Sequence, residues 1–248
     1  MPFLRHPTEP LDFATGVAPE RARRIAAALA QHVLPLLVLR DGRLEPLASG
    51  ALYWWRGHLA LLTCRHLFDS GVALGDLALP LADGRHLPLA ALRPRLLEHP
   101  QHDIAIIALA AGAARARLLR CWAALPLAAD ESAPPCASDL FVLAGYPYAQ
   151  MRRHDGALHA RPVVFFSRAA DAPARLHYAR LAQRIDGLAV HTPALDGVSG
   201  ATLWAVRDEG KACALQPAGV QCAFKHDAYA RGEPFAAARD LLARLATH

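Results

Sequence analysis

The sequence predicts an all-β chain of two lobes with one helix at each end, on three observations. Between residues 33 and 224 the apolar runs are short and broken by turn residues, the texture of a sandwich or barrel. Helical periodicity is confined to two stretches, near 19–32 and 234–245. An alanine-rich interval with three prolines, at 110–137, separates two strand-rich halves. With 248 residues, 54% of them hydrophobic, the chain is long enough to bury one large core or the cores of two lobes.

The elements follow in order. Residues 1–17 carry Pro2, Pro7, Pro10 and Gly16 and read as an irregular arm. Pro19 stands where the first helical residue would be, and Glu20 to Gln31 is rich in Ala and Arg, so a helix is predicted over about 19–32. Val33–Leu39 then meets Asp41-Gly42, a hairpin signal. Ala51–Trp55 meets Arg56-Gly57, and His58–Thr63 follows. Further strand-like runs lie at 73–80, 86–98 and 104–109. The first lobe is set at 33–125 and the second at 126–233, with 110–137 as the connection. In the second lobe Leu140–Ala144 ends at Gly145-Tyr-Pro147, and runs recur at 158–168, 175–181, 187–192, 201–206 and 212–224. From Pro234, the spacing of Phe235, Ala238, Leu241, Leu242 and Leu245 predicts a closing helix in 234–248.

Composition bounds the function. Net charge is +5, but the arginines are scattered, and the densest cluster, Arg21-Ala-Arg-Arg24, lies on the predicted N-terminal helix. A nucleic-acid partner is therefore not expected. No window approaches the roughly 18–20 apolar residues of a membrane span, and the N-terminus lacks the apolar core of a secretory signal. Five cysteines, odd in number and without a C-x-x-C pair, point to free thiols in a reducing cytoplasm.

The chemistry centres on Thr192–Leu203, where Ser199 stands between Gly197 and Gly200. Glycines beside a serine let the backbone turn sharply and bring N–H groups together, and two such groups aimed at one point can hold a developing oxyanion. A serine hydroxyl needs a base to act as a nucleophile. Two stretches supply the partners: Leu61-Leu-Thr-Cys-Arg-His66 closes a strand with an imidazole, and Asp103-Ile-Ala-Ile-Ile-Ala-Leu109 opens one with a carboxylate.

His66, Asp103 and Ser199, in that order and separated by 37 and 96 residues, resemble the chymotrypsin/trypsin-like serine peptidases. The texture is nearest to the bacterial, disulfide-poor members that include the HtrA group. The matching stretches are L-L-T-x-x-H, D-I-A-x-x-x-L and G-x-S-G, and the likeness covers about 33–224. The resemblance implies a fold of two six-stranded antiparallel β-barrels and a cleft site between them. It implies Ser199 as nucleophile, His66 as general base and Asp103 as its orienting carboxylate. The N–H groups of Gly197 and Ser199 would form the oxyanion hole. A substrate pocket at Pro193, Asp196, Gly219 and Val220 follows from the same likeness. The implied partner is a polypeptide substrate, with restraint by a regulatory protein as a further possibility, and no cofactor or metal is called for.

The sequence departs from the family at three points. Ala201-Thr202 follows the serine motif where Gly-Pro is usual, Val198 precedes Ser199 where secreted trypsins carry an aspartate, and Leu67 follows His66 where those enzymes carry a cysteine. The first departure leaves open an alternative: a catalytically weak trypsin-like fold serving as a binding module or partner-gated effector, for example in bacterial defence or signalling. An α/β-hydrolase elbow is disfavoured because only 49 residues follow Ser199 and that fold needs its acid and histidine after the serine. The H-E-x-x-H spacing of a zinc hydrolase is absent. Cys64, two residues from His66, is expected to point into the core rather than form a Cys–His dyad.

Overall fold

A computed structural model describes residues 11–12, 16–127, 140–154, 157–168, 176–178, 182–185, 188–191, 194–209, 212–225 and 229–245. The first half runs β1 (Leu11–Asp12), α1 (Pro19–Leu29), β2 (Val33–Arg40), β3 (Arg43–Trp55), β4 (His58–Thr63), α2 (His66–Asp69), β5 (Leu77–Pro80), β6 (His86–Pro88), β7 (Arg95–Glu98), β8 (Ala105–Leu109), α3 (Ala113–Leu119) and β9 (Leu125–Pro126). The second runs β10 (Leu140–Gly145), β11 (Met151–His154), β12 (Ala157–Ala160), β13 (Val163–Arg168), β14 (Leu176–Tyr178), β15 (Ala182–Ile185), β16 (Leu188–His191), β17 (Thr202–Glu209), β18 (Ala212–Lys225), β19 (Tyr229–Pro234) and α4 (Phe235–Leu245).

Local chemistry explains the main elements. Pro19 opens α1, since its fixed φ suits the first turn and its missing N–H is not needed there. The helix buries Ala22, Ile25, Ala26 and Leu29, one stripe at helical spacing. At the β2–β3 turn Asp41 and Gly42 both have positive φ, 49° and 72°, and Arg56 and Gly57 repeat this at the β3–β4 turn with 46° and 83°. These are the mirror-type turns whose twist matches that of antiparallel strands. In α4, Phe235, Ala238, Leu241, Leu242 and Leu245 are all buried, and the Phe235 ring meets Tyr53 edge-on at 5.8 Å. The interval expected to be a bare connection holds α3, tied down by buried Leu118 and by Trp122 Nε1 donating to the Pro80 carbonyl at 2.7 Å.

The chain is mostly β, with helices near both ends. The first sheet has strand order β6-β5-β2-β3-β4-β8-β7, with β9 added in parallel along β3. The second has order β1-β13-β10-β17-β18-β19-β14, with β1 parallel to β13. Every other described ladder is antiparallel. This differs from six strands and six. The strand counts are eight and seven, and among the described residues no ladder joins β6 to β7 or β1 to β14. The outer strands are short, and the parallel additions β9 and β1 take up edges instead.

One apolar core runs through both halves, including Leu61, Ile106, Val142, Phe166 and Leu241. A smaller cluster lies on the other face of the second sheet, with Phe141, Leu143, Phe165 and Leu203. Successive residues of β10 alternate between the two clusters, as side chains of a strand covered on both faces must. Among the described residues no helix is long and apolar enough to cross a membrane.

Candidate functional site

His66 begins α2, three residues after β4 ends, and Asp103 lies two residues before β8. Strands β4 and β8 pair antiparallel with Thr63 opposite Ala105, so the end of one and the start of the other carry the two groups to the same edge. Asp103 grips His66 twice. Its Oδ1 accepts the His66 backbone N–H at 2.8 Å, and its Oδ2 lies 2.6 Å from Nδ1. Burial pushes the Asp103 carboxyl up, but the hydrogen bonds from the His66 ring and backbone outweigh it, and its pKa falls below the usual value. Arg65 Nη1 donates to the His99 carbonyl at 2.8 Å, tying α2 to the loop that presents Asp103. The imidazole is 40% exposed, its carboxylate partner 19%.

Ser199 arrives from the second half on a tight turn. Gly197 and Gly200 have φ of 91° and 89°, left-handed values that favour glycine. Each is also sterically required: a Cβ on Gly197 would strike the Tyr148 ring, and one on Gly200 would strike the Ser49 carbonyl and the Thr63 hydroxyl. The peptide after Ser199 therefore packs on the end of β4, three residues before His66. The N–H of Val198 is spent on the Leu195 carbonyl. Those of Gly197 and Ser199 make no hydrogen bond within the described residues. Two unspent N–H groups thus flank a half-buried serine.

Ser49 fixes this turn to the first half. Its Oγ donates to the Gly197 carbonyl at 2.8 Å and accepts the Tyr146 N–H at 2.9 Å. Its N–H donates to the Ser199 carbonyl at 2.9 Å, and its carbonyl accepts from Thr63 Oγ1 at 3.0 Å. Ser49 is fully buried, so all its polar groups are satisfied where losing one would be costly. Nothing marked it in the sequence except the small pair Ser49-Gly50 inside a strand, a sign of close backbone approach. A Cβ on Gly50 would meet Leu36, Leu61 and the Leu62 carbonyl.

The structure brings His66, Asp103, Gly197 and Ser199 to one edge, but no hydrogen bond joins Ser199 to His66 among the described residues. His66 Nε2 lies instead 3.5 Å from Cys64 Sγ. Cys64 is fully buried, as expected. Burial, and then the charge of Asp103, push its thiol well above the usual value, so it is no thiolate nucleophile. Cys64, Cys121 and Cys222 are free thiols; Cys136 and the Cys213 side chain lie outside the described residues.

The pocket residues fare differently. Pro193 lies outside the described residues. Asp196 is exposed, and its carbonyl accepts the Tyr148 N–H at 2.8 Å. Gly219 and Val220 are inside the second sheet: Gly219 pairs with Leu203 and Pro234, Val220 with Thr202 and Glu233. Both are buried, so neither offers an open strand edge. Pairing with β17 stops at Val220 because β17 starts at Thr202. Beyond Gln221, which bonds Gly200 and Ala201, Cys222 sits in a bulge, and among the described residues Ala223 and Phe224 are paired on the β19 side only. Ala223 and Phe224 are half-buried.

A second imidazole–carboxylate pair begins on the residue next to Asp103. His102 Nδ1 lies 2.8 Å from Glu233 Oε2, and Glu233 is fully buried. The His102 ring stacks edge-on to His99 with centroids 4.7 Å apart. Cys222 Sγ approaches Glu233 Oε1 at 3.9 Å, and burial pushes its thiol up to about 11. Sequence reasoning missed this cluster, because β19 carries Gly, Arg and Glu and gives no strand signal.

The chain matches no family model and no curated protein. Among solved structures it is similar to a chain of the structure described as "Aromatic interactions drive the coupled folding and binding of the intrinsically disordered Sesbania mosaic virus VPg protein", at 15% identity, covering 82% of this chain and 92% of that one, with a TM-score of 0.46. A likeness at that level carries no argument about function.

Proposed function

We propose that this chain is a serine endopeptidase of trypsin-like type. The observation that carries the reading is the convergence of an oriented imidazole, the His66–Asp103 pair, with a serine turn whose two flanking N–H groups are unspent. Ser199 Oγ attacks the carbonyl carbon of a peptide bond. His66 Nε2 takes the hydroxyl proton and later delivers it to the leaving amine, and water then hydrolyses the acyl-enzyme by the same route reversed. Asp103 holds the Nδ1–H tautomer and stabilises the imidazolium that forms. The Gly197 and Ser199 N–H groups stabilise the oxyanion. On this reading the two sheets correspond to the family's paired barrels, the substrate backbone adds to the open edge of β18 at Ala223–Phe224, and the protein works in the cytoplasm without a cofactor.

One observation favours a second reading, a gated or weakly active form of the same fold: His66 Nε2 contacts Cys64 rather than Ser199. A reorientation of His66 toward Ser199, driven by substrate or a regulatory partner, would complete the proton path. A fluorophosphonate probe separates the readings. Covalent labelling of the purified chain, lost in Ser199→Ala and in His66→Ala, supports the endopeptidase; labelling that needs an added partner supports the gated form. No labelling under either condition sinks both.

A further inference from the structure

At the far ends of the strands that carry His66 and Asp103 lies a cleft of about 400 Å³, bounded by the β3–β4 turn, the end of β8, the approach to β7 and α3. It is lined by His58, Arg93, Arg95 and Arg115 among small and apolar residues, and no described lining residue is acidic. The register places Arg95 beside Ala108 across the β7–β8 ladder. Strand β8 has five residues, so the cleft and the Asp103 end are separated by roughly 15–20 Å. It is not part of the site described above.

Three further facts bear on what the cleft holds. Arg93, Arg95 and Arg115 form no ion pair within the described residues, whereas Arg85 and Arg117 both reach Asp83. Arg115 is held by its stem and ring contact, with its guanidinium carbon 5.3 Å from the centre of the Trp54 ring. Stacking of that kind orients a guanidinium while leaving its N–H fork free. Arg93 has φ 46° and ψ 61°, a left-handed conformation that side chains other than Gly and Asn adopt at a cost. A strained arginine, a stacked arginine and a third on the strand edge therefore line one cleft without an ion-pair partner among the described residues.

We propose that this cleft is a binding site for a small soluble ligand bearing a phosphate group. A guanidinium fork matches two oxygens of a phosphate at once, and three of them meet the charge of a multiply ionised phosphate better than that of one carboxylate. The volume admits the phosphate with a modest organic substituent. This inference does not depend on the endopeptidase reading.

The test is calorimetric titration of the full chain with inorganic pyrophosphate at about 50 mM salt, with citrate as a carboxylate of similar charge. Saturable one-to-one binding is expected, tighter for pyrophosphate than for citrate. Arg93→Gln, Arg95→Gln and Arg115→Gln should each weaken it about tenfold, as loss of a charge-assisted hydrogen bond does. Arg115→Lys, which keeps the charge but loses the fork, should fall between wild type and Arg115→Gln. It also guards against a folding defect, which circular dichroism would reveal. A charge-matched control, Arg40→Gln/Arg43→Gln/Arg120→Gln, should bind as wild type does. No saturable binding, equal or tighter binding of citrate, or equal weakening in the control would overturn the proposal.

Discussion

Two imidazole–carboxylate pairs stand back to back in this molecule, on neighbouring residues of one loop. His66–Asp103 and His102–Glu233 have similar separations, 2.6 Å and 2.8 Å. Their surroundings differ. Asp103 also takes the His66 backbone N–H, and the His66 ring is 40% exposed with its far nitrogen 3.5 Å from Cys64 Sγ. Glu233 is sealed in β19, and His102 is stacked on His99. The pairing itself is common chemistry. What sets the pairs apart is exposure and the presence of unspent donors nearby. The first pair is the more exposed and has the Gly197 and Ser199 N–H groups on its edge, and the second links the Asp103 loop to the second sheet.

The largest expected effect that would sharpen this contrast is on turnover. If the endopeptidase reading holds, Asp103→Asn lowers kcat/KM on a selected peptide by about four orders of magnitude, because it leaves His66 in the wrong tautomer. His102→Gln should change it by less than about tenfold. Comparable losses in both variants would erase the distinction.

Stability should rank the pairs the other way. Glu233→Ala removes a fully buried group bonded to His102 and touching Cys222, and should destabilise the chain by about 2–4 kcal/mol. Asp103→Ala acts at a partly solvated position and should reach only about 1 kcal/mol. Urea unfolding of the two variants measures this, and a reversed order would break the assignment of the second pair as structural.

The smallest effect is in pH dependence. His99 is buried, its Nδ1 accepts the N–H groups of Gln101 and His102, and burial followed by the neighbouring His102 lowers its pKa from 6.5. A lowered histidine contributes stability that is present above its usual pKa and lost as pH falls below it. Stability should therefore decline as pH falls below about 6.5, and His99→Asn should flatten that limb. The lowered Asp103 carboxyl acts at more acid pH: its contribution is present above the usual carboxylate value and lost as pH falls through the folded one. Asp103→Asn should remove that second limb while leaving the first.

The candidate site was legible in the sequence to the extent that it is local. His66 follows a strand by three residues, Asp103 precedes one by two and Ser199 sits between turn-making glycines; each pattern spans fewer than ten residues. The helices and hairpins were readable for the same reason, through Pro19, Asp41-Gly42 and the spacing of Phe235 to Leu245. Ser49 and Glu233 act across 148 and 131 residues, and no local pattern encodes such pairings. Strand β19 was missed because its register comes from β18, not from its own side chains. The same ladder buries Gly219 and Val220 inside the second sheet. Where an edge of β18 opens depends on its pairing with β17 and β19, which no local pattern encodes.

The four-way bonding of Ser49 has a consequence for how the molecule comes into being. Its partners lie at Thr63, Tyr146, Gly197 and Ser199, so the strand made early waits for a turn made more than a hundred residues later. Contacts of that sequence separation close late, after their loop entropy has been overcome. During synthesis the first sheet can collapse while the serine turn does not yet exist. Gln221, which anchors Gly200, is later still. A growing chain thus presents an oriented His66 with nothing to act on, and whatever chemistry the site performs is withheld until the second sheet has docked.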